Sequence, residues 1–132
     1  MLFRSLAPLC TPDIATSLHC PADILRFTLL RSYRRDEWTA WMQAAGEHSP
    51  SPTHRVMVFD SSVTMLEAAQ AGVGIAIAPV DMFTHLLASE RIVQPFATQI
   101  ELGSYWLTRL QSRAETPAMR KFSRWLVEKM KK

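Results

Sequence analysis

The clearest pattern of hydrophobic and polar positions lies between residues 56 and 79. A short β-branched run at residues 56–59 predicts a strand, and the polar run at 60–62 offers residue types that cap helices. Apolar residues then recur at helical spacing: Met65, Leu66, Ala69 and Val73. Gly72 stands where a helix end needs left-handed backbone, and the apolar run at 75–78, stopped by Pro79, predicts a strand buried on both faces. The pattern predicts a strand–helix–strand unit with a polar corner.

The rest of the chain alternates between the same two kinds of element. Thr11 and Thr116 each precede a proline, and this pair of residues typically starts a helix. Further strands are predicted at residues 2–9, 28–31, 90–93 and 100–110. Further helices are predicted at residues 12–18, 21–25, 37–45 and 81–88, and from residue 117 onward. Alternation of this kind predicts an α/β fold with a mixed, mostly parallel sheet.

Composition limits the classes of protein to consider. A chain of 132 residues that is 48% hydrophobic and 20% charged suits one globular domain with a core. No apolar run reaches the length of a membrane span, and Arg4 interrupts the start of any signal peptide, so we expect no membrane partner. Cys10 and Cys20 are too few for a disulfide scaffold, which favours reduced thiols in a cytosol. The net charge of +3 gives no argument for nucleic acid.

The polar corner allows two interpretations. Asp60 or Ser61 can simply cap the helix that follows, which stabilises it by about 1 kcal/mol. The hydroxyl group of Ser62 is then left at a helix N-terminus, where a small ligand can bind. A small hydrolase that uses Ser61 or Ser62 is an alternative, although the glycines that flank a nucleophilic serine elbow are missing.

Other chemistry has weaker support. The four histidines are scattered, no metal-ligand spacing is present, and we expect no cofactor. Tyr33 and the two arginines after it are interpreted as a solvated loop, and the basic face of the last helix is interpreted as a solvated helix face. Tyr105 and Trp106 are neighbours on a predicted strand and therefore face opposite sides, but the sequence leaves open which of them is buried.

The glycine and apolar pattern of residues 59–79 resembles the second half of the effector-binding domain of LysR-type transcriptional regulators. Residues 6–10 share this resemblance. Residues 31–38, 103–106 and 116–120 resemble in particular the regulators of chromosomal β-lactamase within that family. The resemblance covers nearly the whole chain.

The resemblance implies a periplasmic-binding-protein-like effector domain of two subdomains with a cleft between them. Residues 3–106 would form the second subdomain, and residues 107–132 would return to the first, whose remainder is absent from these 132 residues. DNA binding would belong to an N-terminal winged helix-turn-helix, also absent from them. The implied function is non-catalytic sensing of an effector that controls β-lactamase expression.

The implied effectors are muramyl peptides from the cell wall, a nucleotide-linked form for repression and anhydro forms for activation. The positions that the resemblance assigns to the ligand are Ser62 and Tyr105, with Ser61, Asp60 and Val63 beside them. Members of the family form dimers or tetramers. We also expect self-association because the last helix has a strongly apolar face, formed by Met119, Phe122, Leu126 and Met130. A further alternative function is therefore an interaction module that serves only for oligomerisation.

Overall fold

A computed structural model describes residues 2–131 of the chain. The strands are β1 (Leu2–Leu9), β2 (Leu29–Arg31), β3 (Val56–Val58), β4 (Ile75–Pro79) and β5 (Ile100–Tyr105). The α-helices are α1 (Pro12–Ala15), α2 (Glu37–Ala44), α3 (Ser62–Gln70), α4 (Thr84–Ala88) and α5 (Pro117–Met130). Two 3-10 helices cover Pro21–Arg26 and Val80–Phe83. Strands and helices alternate, so the predicted α/β class is confirmed.

The five strands form one sheet in the order β3-β2-β4-β1-β5. β2 runs parallel to both β3 and β4, whereas β1 runs antiparallel to β4. The sheet is therefore mixed, as predicted. All five residues of β4 are buried, because this apolar strand lies in the middle of the sheet with helices on both faces.

Two layers of apolar side chains cover the two faces of the sheet. Successive residues of a strand point to opposite faces, so Ile75 and Ile77 belong to one layer while Ala76 and Ala78 belong to the other. The first layer contains α2, whose Trp41 is fully buried and donates its indole N–H to the Thr98 carbonyl at 2.9 Å. The second layer contains α3 and α4, which contribute Met65, Leu66, Ala69 and Leu86.

Two glycines between α3 and β4 have different roles. Gly72 has φ +80°, the left-handed conformation predicted for the end of α3, with open space around it. Gly74 lies against the backbone of the residue before β2, and a Cβ atom there would come within 2.2 Å of the Thr28 carbonyl oxygen. The close approach of β4 to β2 therefore requires glycine at residue 74.

Several predicted boundaries and faces were wrong. The strand predicted at residues 56–59 ends one residue early, at Val58, and as the edge strand β3 it has three exposed residues. Val73 lies beyond α3 and is exposed, and the helix predicted at residues 81–88 starts as a 3-10 helix at Val80–Phe83, so that its α-helical part is only Thr84–Ala88. Residues 90–93 contribute only one bridge, between Val93 and Cys10, since Glu90 adopts a left-handed conformation.

The predicted strand at residues 100–110 and the first helix are also too long. β5 ends at Tyr105, and residues 106–110 are exposed and irregular. α1 ends at Ala15, three residues before the predicted end, because the backbone N–H of Ser17 bonds to the Ile14 carbonyl and that of Leu18 to the Ala15 carbonyl in the tighter i to i+3 pattern.

The chain divides into two compact units. The larger unit comprises residues 5–102 and contains both core layers. The smaller unit comprises residues 2–4 and 103–131, and it includes α5. None of residues 117–130 in α5 is buried, and Phe122 and Trp125 are 56% and 51% exposed. Lys132, the last residue of the segment 107–132 that is predicted to return to the first subdomain, lies outside the described residues. Within residues 2–131, no helix is both long and apolar enough to cross a membrane.

Candidate functional site

The polar corner lies between β3 and α3, as predicted. Ser61 is the N-cap residue of α3, with extended backbone at φ −128° and ψ 129°, and its hydroxyl oxygen accepts a long hydrogen bond from the Thr64 N–H at 3.5 Å. Its carbonyl oxygen accepts a bond from the Met65 N–H at 3.0 Å. Ser61 is therefore the cap, and Asp60 beside it is exposed.

Ser62 is the first residue of α3 and is half-buried. Its hydroxyl group has no hydrogen-bond partner among residues 2–131. The backbone N–H groups of Ser62 and Val63 are unpaired in the same part of the chain, as is usual in the first turn of a helix. A hydroxyl group and two N–H groups, at the positive end of a nine-residue helix, form a site suited to a carbonyl, hydroxyl or anionic group.

A second loop emerges at the same edge of the sheet. β2 and β3 are parallel, and the Phe59 N–H donates to the Arg31 carbonyl at 2.9 Å. The carboxyl ends of both strands therefore lie side by side, and residues 32–36 leave the sheet next to the corner at residues 60–63. Sequence reasoning missed this neighbour because it interpreted Tyr33 and Arg34 as a solvated loop. The strand order of a parallel sheet was the signal that could have connected them.

The loop after β2 has internal order. The Ser32 hydroxyl donates to the Glu37 carboxylate at 3.2 Å and accepts a bond from the Arg34 N–H at 3.3 Å. Glu37 is the one fully buried charged side chain recorded among the described residues, so the loop is fixed to a rigid point at the start of α2. The Arg34 guanidinium lies 5.9 Å from the centre of the Tyr33 ring, and interaction with the Tyr33 side chain raises the pKa of Arg34.

Tyr105 belongs to the smaller unit, so the predicted site residues do not all fall in one compact unit. It is the last residue of β5 and is half-buried, whereas Trp106 is 72% exposed, which answers the question that the sequence left open. The Tyr105 hydroxyl oxygen is buried. Its ring borders an apolar groove of about 170 Å³, which is also lined by Trp106, Leu107, Leu126, Val127, Met130 and Lys131.

Few residues are available for catalysis. Burial raises the pKa of the Cys10 thiol to about 11, so this cysteine is a thiol at neutral pH and a poor nucleophile. His54 forms a hydrogen bond through its Nε2 atom to the Phe27 carbonyl at 3.0 Å, at the end of the sheet opposite to Ser61 and Ser62. In the described part of the chain, no three His, Cys, Asp or Glu side chains are grouped to hold a metal ion. The corner offers hydrogen bonds and partial charge, which suit binding.

Comparison with known proteins identifies the family. The family model described as LysR substrate binding domain matches residues 4–131. The chain belongs to this family. Its members are binding domains of transcriptional regulators, which is inconsistent with the alternative of a small serine hydrolase.

Two curated relatives illustrate the similarity. The chain is 97% identical over 127 residues to the HTH-type transcriptional activator AmpR of Enterobacter cloacae, covering 96% of this chain and 44% of the relative. It is 59% identical over 123 residues to AmpR of Pseudomonas aeruginosa, covering 93% of this chain and 42% of the relative. The chain therefore spans less than half the length of the curated relatives that it matches.

Solved structures agree with the fold. The AmpR effector-binding domain from Citrobacter freundii matches with a TM-score of 0.92 and 73% identity, over 97% of this chain and 64% of that domain. A variant of the Citrobacter freundii domain carries three substitutions, threonine to valine, serine to alanine and tyrosine to phenylalanine. It matches with a TM-score of 0.92 and 71% identity, over 97% of this chain and 65% of that chain. The periplasmic-binding-protein-like effector fold implied by the resemblance is confirmed.

Proposed function

We propose that this chain senses a muramyl-peptide effector for a regulator of β-lactamase expression. The observation that carries the proposal is the corner at α3, where the Ser62 hydroxyl and the N–H groups of Ser62 and Val63 have no partner within residues 2–131. A fold that belongs to a substrate-binding family uses such a corner to hold a ligand without chemical change. The relatives are transcriptional activators of the helix-turn-helix type, which supports DNA binding by the whole protein through a separate domain.

The solved variant supports two of the proposed contacts. Its substituted serine and tyrosine are separated along their chain by the same number of residues as Ser62 and Tyr105 here. Each of the three substitutions removes one hydroxyl group and leaves the rest of the side chain nearly the same size. We therefore assign the main contacts to Ser62 and Tyr105, while Ser61 and Asp60 shape the corner and Val63 offers its backbone N–H.

Muramyl peptides fit this chemistry. They carry hydroxyl, amide and carboxylate groups, and a helix N-terminus binds carbonyl and carboxylate oxygens favourably. Tyrosine adds a flat apolar surface and a hydroxyl group. The division of the chain into subdomains at residues 3–106 and 107–132 is part of the same proposal. The second segment of the smaller compact unit, residues 103–131, begins close to that boundary, although this unit also includes residues 2–4.

Calorimetry with a muramyl peptide tests the proposal. The titration uses an effector-binding domain of the full length seen in the relatives, with this chain as its C-terminal part. Ser62→Ala and Tyr105→Phe each remove one hydroxyl group and are expected to weaken binding about tenfold, because one hydrogen bond is lost. Ser104→Ala is the control for loss of a hydroxyl outside the site. No binding by the unsubstituted domain, or binding that neither substitution changes, would contradict the proposal.

A second proposal concerns assembly. The exposed apolar side chains of α5 favour self-association of this chain through that face, because the cost of hydrating them is relieved by contact. Light scattering across a range of concentrations is expected to give a mass above the 15.0 kDa of one copy. Phe122→Ser should shift the mass toward the monomer, whereas Lys121→Ser on the polar face should not. A monomer at every concentration would exclude this assembly.

A further inference from the structure

Tyr33 and Arg34 lie in the loop after β2, which leaves the sheet next to the proposed effector corner. We propose that these two residues bind a carboxylate group of the effector, so that the site has a cationic side as well as the Ser62 side. This inference rests on the proposed function, since it requires an effector at the corner. It specifies which group of the effector the loop after β2 recognises, namely a carboxylate.

The loop after β2 starts beside the corner after β3. β2 and β3 end at the same edge of the sheet, in a register that pairs Arg31 with Val58. Phe59, the residue after β3, bonds to Arg31, the residue before the loop. The two loops thus start from hydrogen-bonded neighbours, and a ligand that extends beyond the first turn of α3 meets the loop after β2.

Hydrogen bonds hold the loop after β2 in one conformation. An exposed loop that only connects two elements has no need for a buried carboxylate, yet Glu37 is fully buried and accepts the Ser32 hydroxyl. Ser32 in turn accepts the Arg34 N–H. These bonds hold the backbone of Arg34 in place while leaving the Tyr33 ring 70% exposed. The Arg34 guanidinium lies 5.9 Å from the centre of the Tyr33 ring and interacts with that side chain, so the two groups are paired before a ligand binds, which reduces the entropy that is lost on binding.

The charges of Asp60 and Arg34 both act on a carboxylate bound at the corner. Asp60 is exposed at the corner itself, so an effector carboxylate placed there would meet a like charge. A nearby cation is needed to offset that repulsion, and a guanidinium binds a carboxylate through two parallel N–H groups. Arg34 supplies this cation from the adjacent loop, and the Tyr33 hydroxyl can donate a further bond to the same carboxylate.

Arg35 offers a matched control. It carries the same charge one residue further along the chain, but it lines a different groove on the α2 side of the sheet, together with Arg31, Leu29 and Trp38. Leu29 and Trp38 belong to the core layer opposite to that of α3, so this groove lies on the other face of the sheet from α3. A substitution of Arg35 therefore changes the net charge equally without touching the proposed contact.

The experiment is an NMR titration of the 132-residue chain, which detects affinities in the millimolar range. The probes are N-acetylmuramyl-L-alanyl-D-isoglutamine, which has one free carboxylate, and its carboxamide analogue. Arg34→Gln is expected to weaken binding of the carboxylate probe about fivefold, the effect of one partly exposed charge pair. Arg35→Gln should leave its affinity unchanged, and neither variant should alter binding of the carboxamide. Tyr33→Phe, which keeps the ring, should weaken the carboxylate probe about twofold.

The outcomes separate this inference from the proposed function. Equal losses for Arg34→Gln and Arg35→Gln, or equal affinity of the two probes for the unsubstituted chain, would overturn the carboxylate contact. If Ser62→Ala weakens both probes while Arg34→Gln changes neither, the corner binds the effector and only the second loop is wrongly assigned. If the unsubstituted chain binds neither probe, the carboxylate contact is overturned for this chain, whereas binding of a muramyl peptide by the complete domain in calorimetry would still support the corner at Ser62. Retained amide spectra of the variants show that each is folded.

Discussion

The two compact units differ in how their apolar side chains are used. In residues 5–102, Trp41 is fully buried in a core layer and its indole N–H bonds to a carbonyl oxygen. In residues 103–131, Trp125 is half-exposed on a helix with no buried residue. Both helices are amphipathic in sequence, so the pattern by itself does not produce a core. Stability requires a second apolar surface at the right place, and residues 5–102 contain that surface on both faces of the sheet.

Hydrogen exchange should show the largest difference between the two units. The amides of β4 are buried in the middle of the sheet, and we expect them to exchange through global unfolding. At protein concentrations where light scattering gives the monomer, the amides of α5 should exchange roughly a thousandfold faster or more, because a 14-residue helix without buried side chains is marginal in water. Mass spectrometry of peptides after exchange measures this ratio. Equal protection in α5 and β4 would show that the smaller unit is as stable as the larger.

Replacing tryptophan in each unit gives the next largest difference. Trp41→Ala should lower the free energy of unfolding by about 3–5 kcal/mol, because it leaves a cavity in a packed layer. Trp125→Ala removes a side chain of the same size from an exposed face, and the change should stay within about 0.5 kcal/mol. Denaturation with urea, followed by circular dichroism, measures both. A large loss of stability for Trp125→Ala would mean that its ring contributes to a core.

The close contact at Gly74 tests the packing within the larger unit. Gly74→Ala places a Cβ atom against the Thr28 carbonyl oxygen and should lower the free energy of unfolding by about 1–3 kcal/mol or more, because backbone atoms must move apart. Gly72→Ala is the control, since its Cβ meets open space and only the left-handed φ is strained, at about 1 kcal/mol. Urea denaturation measures both changes. A Gly74→Ala change no larger than the control would contradict the close approach of β4 to β2.

The helix caps give the smallest predicted difference. Ser61 and Thr116 each accept a hydrogen bond from the third residue of their helix, at 3.5 and 3.2 Å. Ser61→Ala should lower the free energy of unfolding by about 1 kcal/mol, since α3 is packed on the sheet and unfolds with it. Thr116→Ala should reduce the helix signal of α5 without moving the urea midpoint. Equal shifts of the midpoint would indicate that both helices unfold together.

Much of the fold could be predicted from particular residues. The Thr–Pro pairs marked the starts of α1 and α5, and both threonines cap their helices. Gly72 marked the end of α3 through its left-handed backbone, and the apolar run of β4 indicated a strand buried on both faces. These predictions succeeded because each depends on backbone chemistry within a few residues. The failures at Val73 and residues 106–110 depend on which elements lie above a side chain, and local sequence does not contain that information.

For the candidate site, the sequence by itself determined a cap residue, a free hydroxyl at Ser62 and the residues that carry the family resemblance. The local backbone geometry shows that Ser61, one of the two candidates, is the cap, whereas only the tertiary structure decided that the loop with Tyr33 and Arg34 lies beside this corner. It also assigned Tyr105 to the other compact unit. The physical reason is that a helix cap is a contact between residues three apart, whereas residues 31 and 59 meet only because two parallel strands pair in one register.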